Sequence, residues 1–413
     1  MNKENELIIS VCDMLTGAGK TSAAISRMNE DVESNYIFIT PYRAETQRIK
    51  DACPSRDFYL PKNKGKGKLK NLEQLLLQRR NIASTHALFQ NYTDKTISLI
   101  REGNYKLILD EAFDVVEQIK IHKHDIQMLF RDKKIEYCDE NQEQVRWIDK
   151  EYKGDAFRKL KEKIEDGNVV YYSNELMLWN FPIEAFKAFK DVIILTYLFE
   201  SQVQKYYYDL NNIQIKYIGT AQDKQTGNYY FTDNIVQPDH AKYLINKIHI
   251  LDDEKLNAIG EKENALSSSW YDREMDKTRQ PLISLLKNNL NNALRHKFDC
   301  SSKTCIWTTF EKARPKLSGG GYTKGFVQWN CRATNEYRDR YHVAYCVNVY
   351  MLPTLKNYFL SHGVTVLEDD YALSEMIQFI FRSAIRENKD IWIYIPSSRM
   401  RYLLMDWLKE LSK

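Results

Sequence analysis

Short apolar runs recur along the first half of the chain, and each stops at a small or polar group. The first is Leu7-Ile8-Ile9-Ser10-Val11, which leads into Thr16-Gly17-Ala18-Gly19-Lys20-Thr21. Asn35-Tyr36-Ile37-Phe38-Ile39 ends at Thr40-Pro41, and Asn81-Ile82-Ala83 ends at Ser84-Thr85-His86. Tyr105-Lys106-Leu107-Ile108-Leu109 delivers Asp110-Glu111, and Asp191-Val192-Ile193-Ile194-Leu195 ends at Thr196-Tyr197. Runs this short and continuously apolar predict parallel strands buried on both faces. Between them the period lengthens. Ser22–Met28 suits an amphipathic helix, another helix opens at Tyr42-Arg43-Ala44-Glu45, and residues 72–80 read as a third. Residues 117–190 are charged with few breaks, which predicts a helical insertion.

The second half alternates in the same way. Aromatic stretches such as Tyr229-Tyr230-Phe231 predict a small sheet within 205–245. Residues 247–251, 304–309, 342–347 and 391–395 read as strands. Leu282, Leu286, Leu290, Ala293 and Leu294 share one face of a helix over 281–298. A second helix, Ser374–Glu387, carries Gln378, Arg382 and Arg386, and a final amphipathic helix closes the chain. The expected fold is therefore α/β with two tandem parallel-sheet domains: 1–200, with an insertion at about 117–190, and 201–413.

Chemistry concentrates where strands end, because ligands of parallel sheets bind beyond the carboxyl ends of the strands. Strand, Gly-x-Gly-Lys-Thr and helix is the layout of a phosphate-binding loop. Thr16, Gly17, Ala18 and Gly19 can turn backbone N–H groups inward. Lys20 would reach terminal phosphates, and the Thr21 hydroxyl would ligate Mg²⁺. Asp110 would hold the same ion, and Glu111 would deprotonate the attacking water. This pairing predicts hydrolysis of ATP or GTP. Gly319-Gly320-Gly321 lacks a following Lys-Ser/Thr and reads as a plain turn.

Composition narrows the setting. The 413 residues are 43% hydrophobic, and no run approaches the roughly 18 apolar residues of a membrane span. The N-terminus is polar, so a soluble protein of a bacterial cytoplasm is expected. Seven scattered cysteines, none in Cys-x-x-Cys spacing, fit reduced thiols. A net charge of +4 and the lysine-rich stretch 61–70 permit contact with nucleic acid. The wealth of Lys, Asn, Ile and Tyr points to AT-rich coding, as in a low-GC bacterium or its mobile elements.

In their order along the chain these motifs resemble the superfamily 2 helicases of DEAD/DEAH-box type, most of all those of phages and plasmids. Thr16–Thr21 is similar to motif I, Thr40-Pro41 to motif Ia, Ser84-Thr85-His86 to the next strand-contacting motif, and Asp110-Glu111-Ala112-Phe113 to motif II. Leu195-Thr196-Tyr197 is loosely similar to motif III, Ala333-Thr334-Asn335 to motif V, and Gln378–Arg386 to motif VI. The resemblance implies two RecA-like domains with ATP between them. Gln378 would then touch the nucleotide, with Arg382 or Arg386 at its γ-phosphate. Thr40, Pro41, Arg43, Thr85, His86 and Thr334 would touch nucleic acid, with single-stranded or tailed duplex DNA favoured over RNA. The implied activity is an ATP-dependent helicase or translocase serving replication or recombination of a mobile element, with replication proteins as further partners. The alternative is an ATP-gated switch or loader that clamps without unwinding. A packaging motor would need a carboxylate-rich nuclease site, and Glu368-Asp369-Asp370, read as a loop, is a poor match. Several features depart from the pattern: Met14 replaces the small residue that often opens motif I, the arginines are four apart rather than three with Phe381 in place of a glycine, and the gap between motifs II and III is long. No glutamine stands among the residues before the loop.

Overall fold

The computed structural model describes residues 7–63, 67–330 and 336–413. Strands β1 (Ile8–Asp13), β2 (Tyr36–Thr40), β3 (Ile82–Thr85) and β4 (Lys106–Asp110) form where the apolar runs predict them. Five short strands follow: β5 (Val116–Gln118), β6 (Ile135–Tyr137), β7 (Val145–Trp147), β8 (Val169–Tyr172) and β9 (Leu176–Asn180). Then come β10 (Asp191–Thr196), β11 (Gln214–Gln222) and β12 (Tyr229–Thr232). The last four are β13 (Ile248–Ile250), β14 (Cys305–Thr308), β15 (His342–Tyr345) and β16 (Ile391–Tyr394).

The first sheet has the order β12-β11-β1-β10-β4-β2-β3 and is parallel except for β12. Alternate residues of each strand enter opposite layers. Ile9, Val11, Leu107, Leu109, Val192 and Ile194 pack on one side, and Cys12, Ile108, Ile193 and Leu195 on the other. Helices α1 (Lys20–Glu30), α2 (Arg43–Ala52) and α3 (Lys68–Leu77) belong to this domain. The second sheet, β13-β16-β15-β14, is wholly parallel. Ile306, Val343 and Ile393 face one layer, and Trp307, Ala344 and Tyr394 the other. Two parallel-strand α/β domains in tandem are thus present.

Four expectations change. The boundary at residue 200 is too early, because β11 pairs with β1 and β12 completes that edge. The insertion is mixed rather than helical. Besides helices Lys123–Arg131 and Arg158–Glu165 it holds the antiparallel sheet β5-β9-β8 and the hairpin β6-β7. The helix placed at Ser374–Glu387 runs Glu368–Ile380, so Arg382 and Arg386 follow its end, and residues Ala384–Glu387 form a tighter turn. Glu368-Asp369-Asp370 is that helix's first turn rather than a loop, as acids favour helix N-termini. Glu368 pairs with Lys356 at 2.6 Å and Asp369 with Arg399 at 2.6 Å.

The halves also meet along helix Pro353–Ser361 of the second domain. Phe359 packs on Tyr206, whose hydroxyl accepts from Leu367 N at 3.0 Å. His362 Nε2 lies 2.9 Å from Glu143 Oε2 of the insertion. Among the described residues, no helix is long and apolar enough to cross a membrane.

Candidate nucleotide cleft

The loop between β1 and α1 is built by its neighbours as much as by its glycines. Met14 N donates to Thr196 O at 3.1 Å, and Leu15 N to Gln237 Oε1 at 3.0 Å. Gly17 and Gly19 take φ of 91° and 78°, a region that side chains with a β-carbon rarely occupy. Gly19 then caps α1, and its carbonyl accepts the first helical bond from Ala23 N at 2.8 Å. The Lys20 ammonium lies back along the loop, donating to Met14 O and, at 3.3 Å, to Leu15 O. Burial holds its pKa below the usual lysine value, with Glu111 acting in the opposite sense.

The β10–β4 register sets Leu195 against Asp110, which aims the acid pair at the loop from two strands away. Glu111 turns the chain with φ 64°, and its N–H donates to Leu195 O at 2.8 Å. Thr40 Oγ1 donates to Asp110 Oδ2 at 3.2 Å. Burial, reinforced by the Glu111 charge, pushes the Asp110 carboxyl up to about 7. A half-buried carboxylate held this way gains from a bound cation, since opposite charge offsets its lost hydration. Its donor set, carboxylate with the Thr21 hydroxyl nearby, is the hard-oxygen kind that suits Mg²⁺.

The structure brings most of the expected cluster together. A cavity of about 400 Å³ is lined by Thr16, Gly17, Gly19, Lys20, Thr21, Thr40, Pro41, Asp110, Glu111, Tyr229 and Arg386. A narrower one of about 50 Å³ adjoins it, between Thr16, Lys20 and Glu111 on one wall and Gln378, Arg382 and Arg386 on the other. Ala18, within the loop, is buried. The two arginines differ. Arg382 is only 2% exposed and donates to Gln328 O at 3.4 Å within its own domain, whereas Arg386 is exposed and lines both cavities.

Two expected nucleic-acid contacts are withdrawn. Thr40 is fully buried, with its hydroxyl committed to Asp110. His86 is also buried, and its Nε2 lies 2.9 Å from Asp110 O. Both hold the acid strand in place. Arg43 is exposed, and Pro41 and Thr85 are partly so. Thr334 lies outside the described residues, as do 64–66 of the lysine-rich stretch.

The loop has partners the sequence did not disclose. Thr220 of β11 donates to Ala18 O, and His240 Nε2 lies 3.1 Å from Thr16 O. The Tyr229 ring lies directly over Gly19. The signal available was the aromatic run 229–231, which from sequence reads as sheet packing.

The chain is 42% identical over 413 residues to the SPbeta prophage-derived uncharacterized protein YonV of Bacillus subtilis (strain 168), covering 97% of this chain and 98% of that one. The chain belongs to the YonV family. Residues 242–408 match the YonV C-terminal Rossmann-like domain, and residues 116–179 match the YonV middle domain. The YonV middle domain coincides with β5–β9, so the mixed insertion is a module of its own. The relative's prophage origin agrees with the expected mobile-element source. Among solved structures, an XPD helicase shares 11% identity at a TM-score of 0.46, covering 98% of this chain and 94% of that one. Xpd4 of S. tokodaii gives 11% and 0.44 with the same coverage. The DUF1998 helicase MrfA, bound to DNA and AMPPNP, gives 11% and 0.31 over 98% of this chain and 48% of that one. Likenesses this remote do not bear on activity.

Proposed function

We propose that this YonV-family chain is an ATP-hydrolysing nucleic-acid translocase of superfamily 2 type, with DNA as its track. One observation carries the reading. Lys20, Thr21, Asp110 and Glu111 of the first domain face Arg386 of the second across one cleft. A phosphate-binding loop on one wall and an exposed cation on the other is what a closure-coupled NTPase needs.

In this reading the loop N–H groups and Lys20 hold the triphosphate, with Lys20 exchanging its carbonyl partners for phosphate oxygens. Thr21 and Asp110 would hold Mg²⁺, which would supply positive charge against the phosphate oxygens. Glu111 accepts the proton of the attacking water. Arg386 enters at the γ-phosphate, where such arginines contribute about 10³–10⁵ in rate. Arg382 is already committed to Gln328 O and positions the turn that presents Arg386. Pro41 follows the end of β2, Arg43 opens α2 and Thr85 ends β3, and these three would grip a backbone without reading its sequence. Opening and closing of the cleft would then alternate that grip. Replication or recombination of a mobile element is the setting this suits.

The test is ATP hydrolysis with and without single-stranded DNA, followed by strand displacement on a tailed duplex. DNA-stimulated hydrolysis with displacement supports a helicase. Stimulation without displacement supports translocation or an ATP-gated clamp. DNA that neither binds nor stimulates removes the nucleic-acid reading.

A further inference from the structure

The sequence lacks a glutamine before the loop that could read a base, and the geometry supplies a different candidate. The acid pair and Arg386 fix the terminal-phosphate end of the cleft on the β10–β4 side of β1. The rest of a nucleotide must extend past Gly19 and the start of α1. On that flank β1 is followed by β11 and then β12. Tyr229, the first residue of β12, is half-buried and lines the same cavity as Lys20 and Thr21. A β-carbon on Gly19 would lie 2.1 Å from its Cδ1 and 2.3 Å from its Cε1, so the ring rests on the loop backbone. The flank is tied down by Thr220 on Ala18 O and Gln237 on Leu15 N, which keeps the ring in register with the loop.

Resting on the nucleotide reading above, we propose that Tyr229 is the platform on which the nucleotide base stacks. An aromatic face offers contact area without a donor–acceptor pattern. The site therefore accepts purine nucleoside triphosphates with little preference between ATP and GTP.

The experiment is equilibrium binding of a ribose-labelled fluorescent ATP, with magnesium tripolyphosphate as a base-free competitor. It compares the full-length wild type with Tyr229→Ala, Tyr229→Phe and Lys20→Ala. Tyr229→Ala should weaken ATP and GTP alike by about tenfold and leave tripolyphosphate unchanged, since stacking involves the base alone. Tyr229→Phe should keep wild-type affinity, because the ring and not the hydroxyl does the stacking. Lys20→Ala should weaken all three ligands. Unchanged or tighter ATP binding in Tyr229→Ala overturns the platform and marks the ring as filler. Equal weakening of ATP and tripolyphosphate also overturns it, leaving Tyr229 as a support of the loop. If the wild type binds tripolyphosphate but not ATP, the platform alone fails. If it binds neither, the nucleotide reading fails with it.

Discussion

Gly19→Ala tests the loop where two independent constraints meet. The first is backbone conformation: φ is 78°, and an L-residue there costs about 1–2 kcal/mol. The second is steric. The new methyl would lie 2.1, 2.3 and 2.6 Å from three carbons of the Tyr229 ring, which it cannot share. Tyr229 is half-buried on an edge strand and can swing outward. Moving it costs about 1 kcal/mol of lost packing, at the low end of overpacking penalties. Gly19→Ala should therefore destabilise the first domain by about 2–3 kcal/mol. In a Tyr229→Ala background the steric part disappears and the backbone part stays, leaving about 1–2 kcal/mol. The coupling in the double-mutant cycle should be about 1 kcal/mol, with each change less harmful beside the other. Urea unfolding of the four proteins, followed by near-ultraviolet circular dichroism, measures it. A Gly19→Ala cost that is the same in both backgrounds would refute the placement of Tyr229 on the loop.

The two arginines should separate cleanly. Arg386→Ala should lower kcat by about 10³ or more with little change in ATP affinity, since its contribution belongs to the transition state. Arg382→Ala should instead lower the melting temperature of the second domain, because Arg382 is buried and bonded to Gln328 O. Tyr206→Phe removes the hydroxyl shared with Leu367 N and should weaken docking of the two halves by about 1 kcal/mol, seen as a lower urea midpoint. Lys20→Ala should abolish hydrolysis while leaving the far-ultraviolet spectrum intact, because its ammonium bonds the Met14 and Leu15 carbonyls of the loop rather than a helix or a core.

Elements that carry their own signal were legible in the chain. Strands β2, β4 and β10 are continuous apolar runs closed by a hydroxyl or acid, and they form as read. The strands of the insertion are three to five residues long, too short for a period to register against charged neighbours. Sheet order is not local, so nothing in 214–232 announced that it would flank β1. The acid pair and the loop were legible because their spacing is chemical. Thr40 and His86 misled because a polar residue at a strand end looks the same whether it faces a ligand or supports a neighbour. Here both support Asp110. Tyr229 was hidden by distance along the chain: only folding puts it on Gly19.

In the proposed reading, Glu111 activates water in a cleft closed by the second domain. The measurement is the steady-state rate of ATP hydrolysis by wild type and Glu111→Gln, with ATP binding followed in parallel. Glu111→Gln should bind ATP as the wild type does and hydrolyse it about 10²–10⁴-fold more slowly. Equal hydrolysis by the two proteins would contradict the assignment of the site.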